Sequence, residues 1–277
     1  MDTTAPTRQP TLFIAHGGGP CFFMDPPPQA PHPWDAMDTY LRNLLVGLPD
    51  RPEAILMISG HWETPNPTLN IAARPGLLFD YYGFPEHTYR LTYPAAGAPA
   101  LADRVRRLLS EAGETVETET TRGWDHGVFI PMMLIRPQAD IPILQMSLTT
   151  DLDPARHLAI GRALAPLRDE GVLIIGSGMS YHNLREFFAP RGAEAARAFD
   201  DWLTQAAQSR DGRSAALARW ADAPFARACH PREEHLIPMM VAAGAAEGEA
   251  GRRTFNDHIF AKAVSGFQFG DGVPTSA

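Results

Sequence analysis

Residues 11–20 read TLFIAHGGGP, a continuously apolar run that ends at His16 and three glycines. An apolar run of this length without polar alternation is typical of a strand that is covered on both faces. Three further runs share this character: AILMIS at 54–59, PILQMSL at 142–148 and VLIIG at 172–176. Together they predict the central strands of a buried sheet.

Helical patterns separate these strands. Apolar residues recur there at spacings of three and four positions, as in amphipathic helices. Asp153 and Pro154 add an N-cap and a first-turn proline to one of these patterns. Strands that alternate with helices predict an α/β fold of three layers, αβα, with a mostly parallel or mixed central sheet in a single domain. The predicted helices cover 34–48, 98–112, 154–170 and 193–207.

Composition narrows the classes of protein that this chain can represent. It has 277 residues, of which 44% are hydrophobic, and a formal net charge of −8, which disfavours a nucleic-acid partner. Two cysteines are too few for a disulfide framework. We expect one catalytic domain over 1–277, with flexible tails at 1–10 and 271–277. The sequence leaves the oligomeric state open.

The start of the chain carries no apolar segment of the kind found in signal peptides. The longest apolar runs are the length of a strand and far shorter than a membrane span. We therefore expect a cytoplasmic protein without a membrane partner. Two stretches, 20–33 and 66–99, do not follow the strand–helix pattern. Irregular insertions of this size in a compact domain are usually functional loops.

Three of the four predicted strands end in or near a histidine. These are His16, His61 and His182, which follow the runs at 11–15, 54–59 and 172–176. Ligands of open α/β sheets bind beyond the carboxyl ends of the strands, so neighbouring parallel strands would bring the three imidazoles to one edge. A single loop histidine is more often a surface or structural residue. Three at strand ends favour a metal site, because imidazole is the commonest metal ligand.

The segment CHPREEHLIP at 229–238 predicts the start of a helix, with Pro231 and the acids in its first turn. His235 is followed by apolar residues and is expected to face inward, while His230 and Glu234 are the alternatives. Adjacent helical residues point about 100° apart, so Glu234 and His235 are not expected to bind the same ion.

The segment GWDHGV at 123–128 adds His126. Its neighbour Asp125 is expected to orient an imidazole, as carboxylates near metal sites commonly do. The remaining histidines lack a comparable context, and we interpret them as surface or structural residues. They are His32, His87, His157 and His258.

Five motifs follow one another along the chain. They are HGGGP at 16–20, SGHWE at 59–63, GWDHGVF at 123–129, GSGMSYHNL at 176–184 and HPREEHLIP at 230–238. In this order they resemble the motifs of class III extradiol ring-cleaving dioxygenases, most closely the DOPA 4,5-dioxygenase-like branch. The resemblance extends from His16 to about Gly244 and includes the irregular segment YYGFPEHTYRLTYP at 81–94.

The resemblance implies one divalent metal ion, bound by His16, His61 and His235. It implies His182 as the acid–base catalyst, and as a fourth ligand in zinc-bound members. It implies that His126 contacts substrate and oxygen. Non-haem iron oxygenases typically use two histidines and a carboxylate, whereas three imidazoles resemble a catalytic zinc site. We therefore expect Fe(II) for dioxygenase activity, and Zn(II) as another ion that this set can bind.

The resemblance also implies the reaction. A DOPA-like or related vicinal diol would be opened with O2 beside its hydroxyls. The aromatic segment at 79–89 is then expected to act as a lid, with Tyr82 and Phe84 at the substrate. Residues 20–24 would form a facing wall.

Other classes use the same residues. A zinc-dependent hydrolase could employ the same histidines with Glu63 or Glu234 as base. A non-catalytic relative would be expected to lack some ligands, whereas every family histidine is present here. The run GSGMS at 176–180 suggests a serine hydrolase but lacks the spacing of a nucleophile elbow.

Overall fold

The computed structural model describes residues 7–25, 33–189 and 191–271. Of the tails predicted at 1–10 and 271–277, residues 1–6 and 272–277 lie outside the described residues, as do His32 and much of the stretch at 20–33.

A mixed eight-stranded sheet forms the centre of the described structure. Its strands are β1 (Thr11–Ala15), β2 (Ala54–Thr64), β3 (Thr68–Asn70), β4 (Glu117–Glu119), β5 (Ile143–Thr149), β6 (Val172–Gly178), β7 (Gly251–Ile259) and β8 (Lys262–Phe269). They lie in the order β4-β3-β5-β2-β6-β1-β8-β7. The four middle strands β5, β2, β6 and β1 are parallel, and β8 and β7 continue the sheet antiparallel at one edge.

Helices cover both faces of this sheet. In the described residues they are α1 (Asp35–Arg42), α2 (Pro99–Glu111), α3 (His126–Ile135), α4 (Pro154–Leu164), α5 (Ala193–Gln208), α6 (Arg213–Ala218), α7 (Ala226–Cys229) and α8 (Ile237–Ala245). Every residue of α8 is buried, since this helix packs on β1, β2 and β6 and is covered by α4. No helix of the described chain is long and apolar enough to cross a membrane.

Two neighbouring residues of β6 establish the layering. A Cβ added to Gly176 would meet the backbone of Pro238 in α8, whereas Ser177 donates a hydrogen bond to the carbonyl of Gly127 in α3. Successive strand residues point to opposite faces, so α8 and α3 lie on opposite sides of the sheet. The predicted three-layer α/β fold in a single domain is confirmed.

The four predicted apolar strands are confirmed as β1, β2, β5 and β6, and the four predicted helices as α1, α2, α4 and α5. Two helices are shorter than predicted, because they end in the 3-10 turns Leu44–Gly47 and Ala165–Glu170. The sequence did not predict the hairpin of β7 and β8.

The predicted end of β2 at Ser59 is wrong. The strand continues to Thr64, and its pairing with β5 shifts between Ile58 and Glu63. An irregularity of this kind bends a strand and re-aims a side chain. His61 therefore lies inside the strand, in its irregular part.

The predicted helix start at Pro231 is also wrong, because α8 begins only at Ile237. The preceding residues form turns, and the carbonyl of His235 accepts a hydrogen bond from the backbone N–H of Met179, 3.0 Å away, just after β6. This bond ties the segment before α8 to the end of the central sheet.

Candidate metal centre

The topology brings the strand-end histidines together, as the sequence predicts. Strands β2, β6 and β1 are neighbours, so His61, His182 and His16 lie at one edge of the sheet. His235 reaches the same edge through its backbone bond to Met179. His126, the first residue of α3, completes the cluster.

The Nε2 atoms of two imidazoles lie close to the Nε2 atom of a third, that of His61. His61 Nε2 lies 3.2 Å from His16 Nε2 and 3.1 Å from His235 Nε2. Ligand atoms of His16, His61 and His126 also lie within 4.8 Å of one another. Two nitrogens bound to one ion at about 2.0–2.1 Å with near-tetrahedral angles are about 3.3 Å apart. Both distances from His61 Nε2 therefore fit a pair of ligands on one metal ion.

The hydrogen bonds around His16 indicate which of its ring nitrogens carries the proton. Ser177 donates its hydroxyl proton to the carbonyl of Gly127 and lies 2.9 Å from His16 Nδ1. Its oxygen therefore accepts from Nδ1–H, which leaves a lone pair on Nε2 of His16. Nδ1 of His235 likewise faces a carboxylate, with Glu234 Oε1 at 3.0 Å.

Burial keeps these imidazoles neutral. It lowers the pKa of His61 to about 3, with a further contribution from His126. Burial and the neighbouring imidazoles hold the pKa of His16 and of His235 well below the ordinary value. Neutral imidazole is the form that binds metals, so a cation at this point would satisfy lone pairs that otherwise face one another.

His182 belongs to a second group with Glu234 and His235. Its Nδ1 lies 3.1 Å from Glu234 Oε1, the oxygen that also faces His235 Nδ1. The His182 and His235 rings stack with centroids 3.4 Å apart and planes 17° apart. Since both Nδ1 atoms face the same oxygen, both Nε2 atoms point away from it, toward the cluster.

The prediction that Asp125 orients an imidazole is wrong. Its buried carboxylate accepts hydrogen bonds from Ser59, Gln145 and Arg122, and burial raises its pKa. Asp80 contacts the imidazole instead, with Oδ1 2.7 Å from His126 Nδ1. Sequence reasoning missed Asp80, although it is the one acid in the aromatic run FDYYGF at 79–84.

The aromatic segment at 79–89 lies against the cluster. The ring of Tyr81 is buried and meets the ring of His126 edge-on, with centroids 5.8 Å apart. Phe84 packs on Tyr81 and would lie 3.0 Å from a Cβ at Gly19. The structure does not bring Tyr82 into this group, because its side chain is 91% exposed.

The wall predicted at 20–24 includes the 3-10 turn Cys21–Phe23. Cys21 and Phe22 pack tightly on Gly17, whose φ of +82° suits glycine better than other residues. The turn after β1 therefore carries His16 on one side and aromatic side chains on the other.

The other histidines lie outside the cluster. His230 is also buried, but its Nε2 is bonded to the carbonyl of Ser180, 2.9 Å away, and not to the cluster. His157 is buried in a bond to the Asp153 carbonyl. His87 and His258 are exposed.

Gly60 permits the close approach of β2 to the segment that carries His235. A Cβ at Gly60 would lie 2.9 Å from the backbone oxygen of Glu234 and 3.3 Å from His235 Cα. Gly60→Ala is expected to lower stability by about 1–3 kcal/mol, as overpacking does, and to weaken metal binding. Gly47→Ala is the control, because nothing lies within 4 Å of its added Cβ. Thermal unfolding and metal titration measure both effects, and equal metal affinity in the two variants would contradict the expectation.

The chain is similar to known proteins over most of its length. Residues 10–267 match the family described as the catalytic LigB subunit of aromatic ring-opening dioxygenase. A dioxygenase named tasH from Hapsidospora irregularis is 39% identical and covers 94% of this chain and 85% of its own. The 4,5-DOPA dioxygenase extradiol of Beta vulgaris is 43% identical over 71% of this chain and 74% of that protein. An uncharacterized protein from Escherichia coli K12, solved as a crystal structure, is 28% identical with a TM-score of 0.74 and covers 95% of this chain and 100% of its own.

Proposed function

The chain belongs to the LigB family of extradiol ring-cleaving dioxygenases, and we propose that it opens a DOPA-like or related catechol with O2 in a metal-dependent reaction. The observation that carries the proposal is the convergence of three Nε2 atoms from His16, His61 and His235. Three protein ligands leave further coordination positions for substrate.

The donor set also bears on the choice of metal. Imidazole suits both iron and zinc, and we propose Fe(II) as the ion for dioxygenase activity, with Zn(II) able to bind the same residues. When bound, the ion supplies Lewis acidity, which lowers the pKa of a catechol hydroxyl at the site.

His182 is the proposed acid–base residue. Its Nδ1 is turned to Glu234, so Nε2 carries the lone pair and lies on the side of the cluster. This nitrogen can take a proton from a catechol hydroxyl and return it later in the reaction. His182 is also the candidate for a fourth metal ligand, and its substitution decides between the two roles.

His126 is the proposed contact to substrate and oxygen. Asp80 holds its Nδ1, which turns Nε2 toward the ligand atoms of His16 and His61. Phe84 packs on Tyr81, whose ring meets that of His126, and we propose that Phe84 and the facing residues 20–24 exclude water from the bound catechol.

The hydrolase alternative needs a free carboxylate as base. Both oxygens of Glu63 are engaged by Arg232. Glu234 faces two imidazoles through Oε1. Because both carboxylates already have these partners, we favour the dioxygenase.

The direct test is a catechol panel with anaerobically prepared protein. Protein loaded with Fe(II) is expected to consume O2 and form a coloured ring-opened product from L-DOPA, caffeate or protocatechuate. Protein loaded with Zn(II) serves as the comparison. No turnover of any catechol would refute the proposal, and hydrolytic activity with Zn(II) alone would favour the alternative.

A further inference from the structure

Glu234 is shared between two stacked imidazoles. Its Oε1 lies 3.0 Å from His235 Nδ1 and 3.1 Å from His182 Nδ1. The guanidinium of Arg232 lies 3.5 Å from its other oxygen. One carboxylate therefore faces both a proposed metal ligand and the proposed acid–base residue.

Asp80 repeats this arrangement on the other side of the cluster. Its Oδ1 lies 2.7 Å from His126 Nδ1 and also accepts the backbone N–H of His126 at 3.1 Å. Its Oδ2 lies 3.6 Å from His61 Nδ1. The His61 and His126 rings are in contact, with centroids 3.9 Å apart. Again one carboxylate faces a proposed metal ligand and a proposed substrate contact.

We propose that Asp80 and Glu234 are positioning residues that each tie one metal-binding histidine to one substrate-facing histidine. We call them the bridging carboxylates. Each faces two Nδ1 atoms on one side, so that the two Nε2 atoms point toward the reaction space. The assignment of roles to the histidines rests on the proposed function.

The bridging carboxylates also bring negative charge close to a ligand set that has none. Three neutral imidazoles bring no charge to a divalent ion, whereas the usual iron triad brings one carboxylate. A carboxylate that accepts from a ligating imidazole raises its basicity and fixes its orientation. Glu234 stands in this relation to His235, whereas Asp80 is hydrogen-bonded to His126 and faces His61 Nδ1 at 3.6 Å as a nearby negative charge. Asp80 also belongs to the aromatic segment at 79–89, so the position of this segment depends on the same contact.

Metal affinity is the first test, and it needs no turnover. Asp80→Asn and Glu234→Gln are each expected to weaken Zn(II) binding about 10–100-fold, measured by competition with a chromophoric chelator. The controls are Glu86→Gln, in the same segment as Asp80, and Glu233→Gln, beside Glu234. Glu86 pairs with Arg90, and Glu233 pairs with Arg227. The two control variants should therefore bind Zn(II) as tightly as the unchanged protein. Unchanged affinity in both bridging variants, or equal losses in the controls, would overturn the inference.

Turnover with saturating Fe(II) is the second test. Even with its metal site filled, Glu234→Gln is expected to have a lower kcat than the unchanged protein, because His182 has lost its Nδ1 partner. In a His182→Ala background the same change should lower kcat no further, yet it should still weaken Zn(II) binding through His235. An undiminished loss of kcat in that background would show that Glu234 does not act through His182.

The two proposals fail in different ways. A protein without catechol turnover loses the proposed function, while the Zn(II) titration still decides whether the carboxylates support the ion. If an amide variant fails to fold, as judged by circular dichroism, Asp80→Glu and Glu234→Asp replace it. They move the carboxylate by one methylene and carry the same expectation of weaker metal binding.

Discussion

His61→Ala is expected to remove metal binding and, with it, ring opening. The Nε2 atom of His61 lies 3.1–3.2 Å from the Nε2 atoms of both His16 and His235, so it is the central member of the proposed ligand set. Loss of a partner that only orients a ligand costs about 10–100-fold in metal affinity. Removal of a ligand itself should exceed this range. Metal titration and metal analysis of the purified variant measure the effect.

The matched control is His258→Ala, which removes an exposed histidine from β7 outside the cluster. It should keep both metal affinity and activity. Far-ultraviolet circular dichroism of the metal-free proteins separates a lost ligand from a lost fold. Tight, stoichiometric metal binding by a folded His61→Ala protein would show that the ion binds elsewhere.

His182→Ala is expected to keep the metal and to lower kcat by about 10²–10⁴-fold, the usual contribution of a positioned acid–base group. His182 is stacked on His235 and turned by Glu234 so that its Nε2 faces the cluster. An imidazole so placed can accept a proton and return it. Steady-state kinetics with saturating Fe(II), together with a metal titration, measure the two quantities.

Leu184→Ala serves as the control for this loop, because Leu184 is exposed two residues further along and should leave kcat unchanged. A His182→Ala protein that loses metal affinity as severely as His61→Ala would identify His182 as a fourth ligand. Full activity with intact metal affinity would remove it from the mechanism altogether.

The strands and the strand-end histidines could be predicted because their environment leaves a local signature. β1, β2, β5 and β6 are covered on both faces, so nearly every side chain must be apolar and the run is continuous. The hairpin of β7 and β8 lacks such a signature, because only Phe255 and Ile259 of β7 are buried and the buried strand β8 contains polar residues.

The carboxylate that orients a histidine could not be identified by its closeness to that histidine in the sequence. Asp125 adjoins His126, yet as the N-cap residue of α3 it turns toward Ser59 and Gln145. The partner of His126 is Asp80, far away in the chain. Tyr81 and Tyr82 are adjacent, and only the backbone course of their segment decides that Tyr81 faces the cluster.

The sequence by itself determined the α/β class, the strands that meet at one edge, and the histidines that this edge collects. These features can be predicted because a strand buried on both faces requires a continuous apolar run, and neighbouring parallel strands end at the same edge of the sheet. The tertiary structure alone decided the re-aimed His61 in the irregular part of β2, the turn that places His235, and the sharing of Asp80 and Glu234 between imidazole pairs. Most of these contacts join residues distant in the chain, and only the packed backbone brings such residues together.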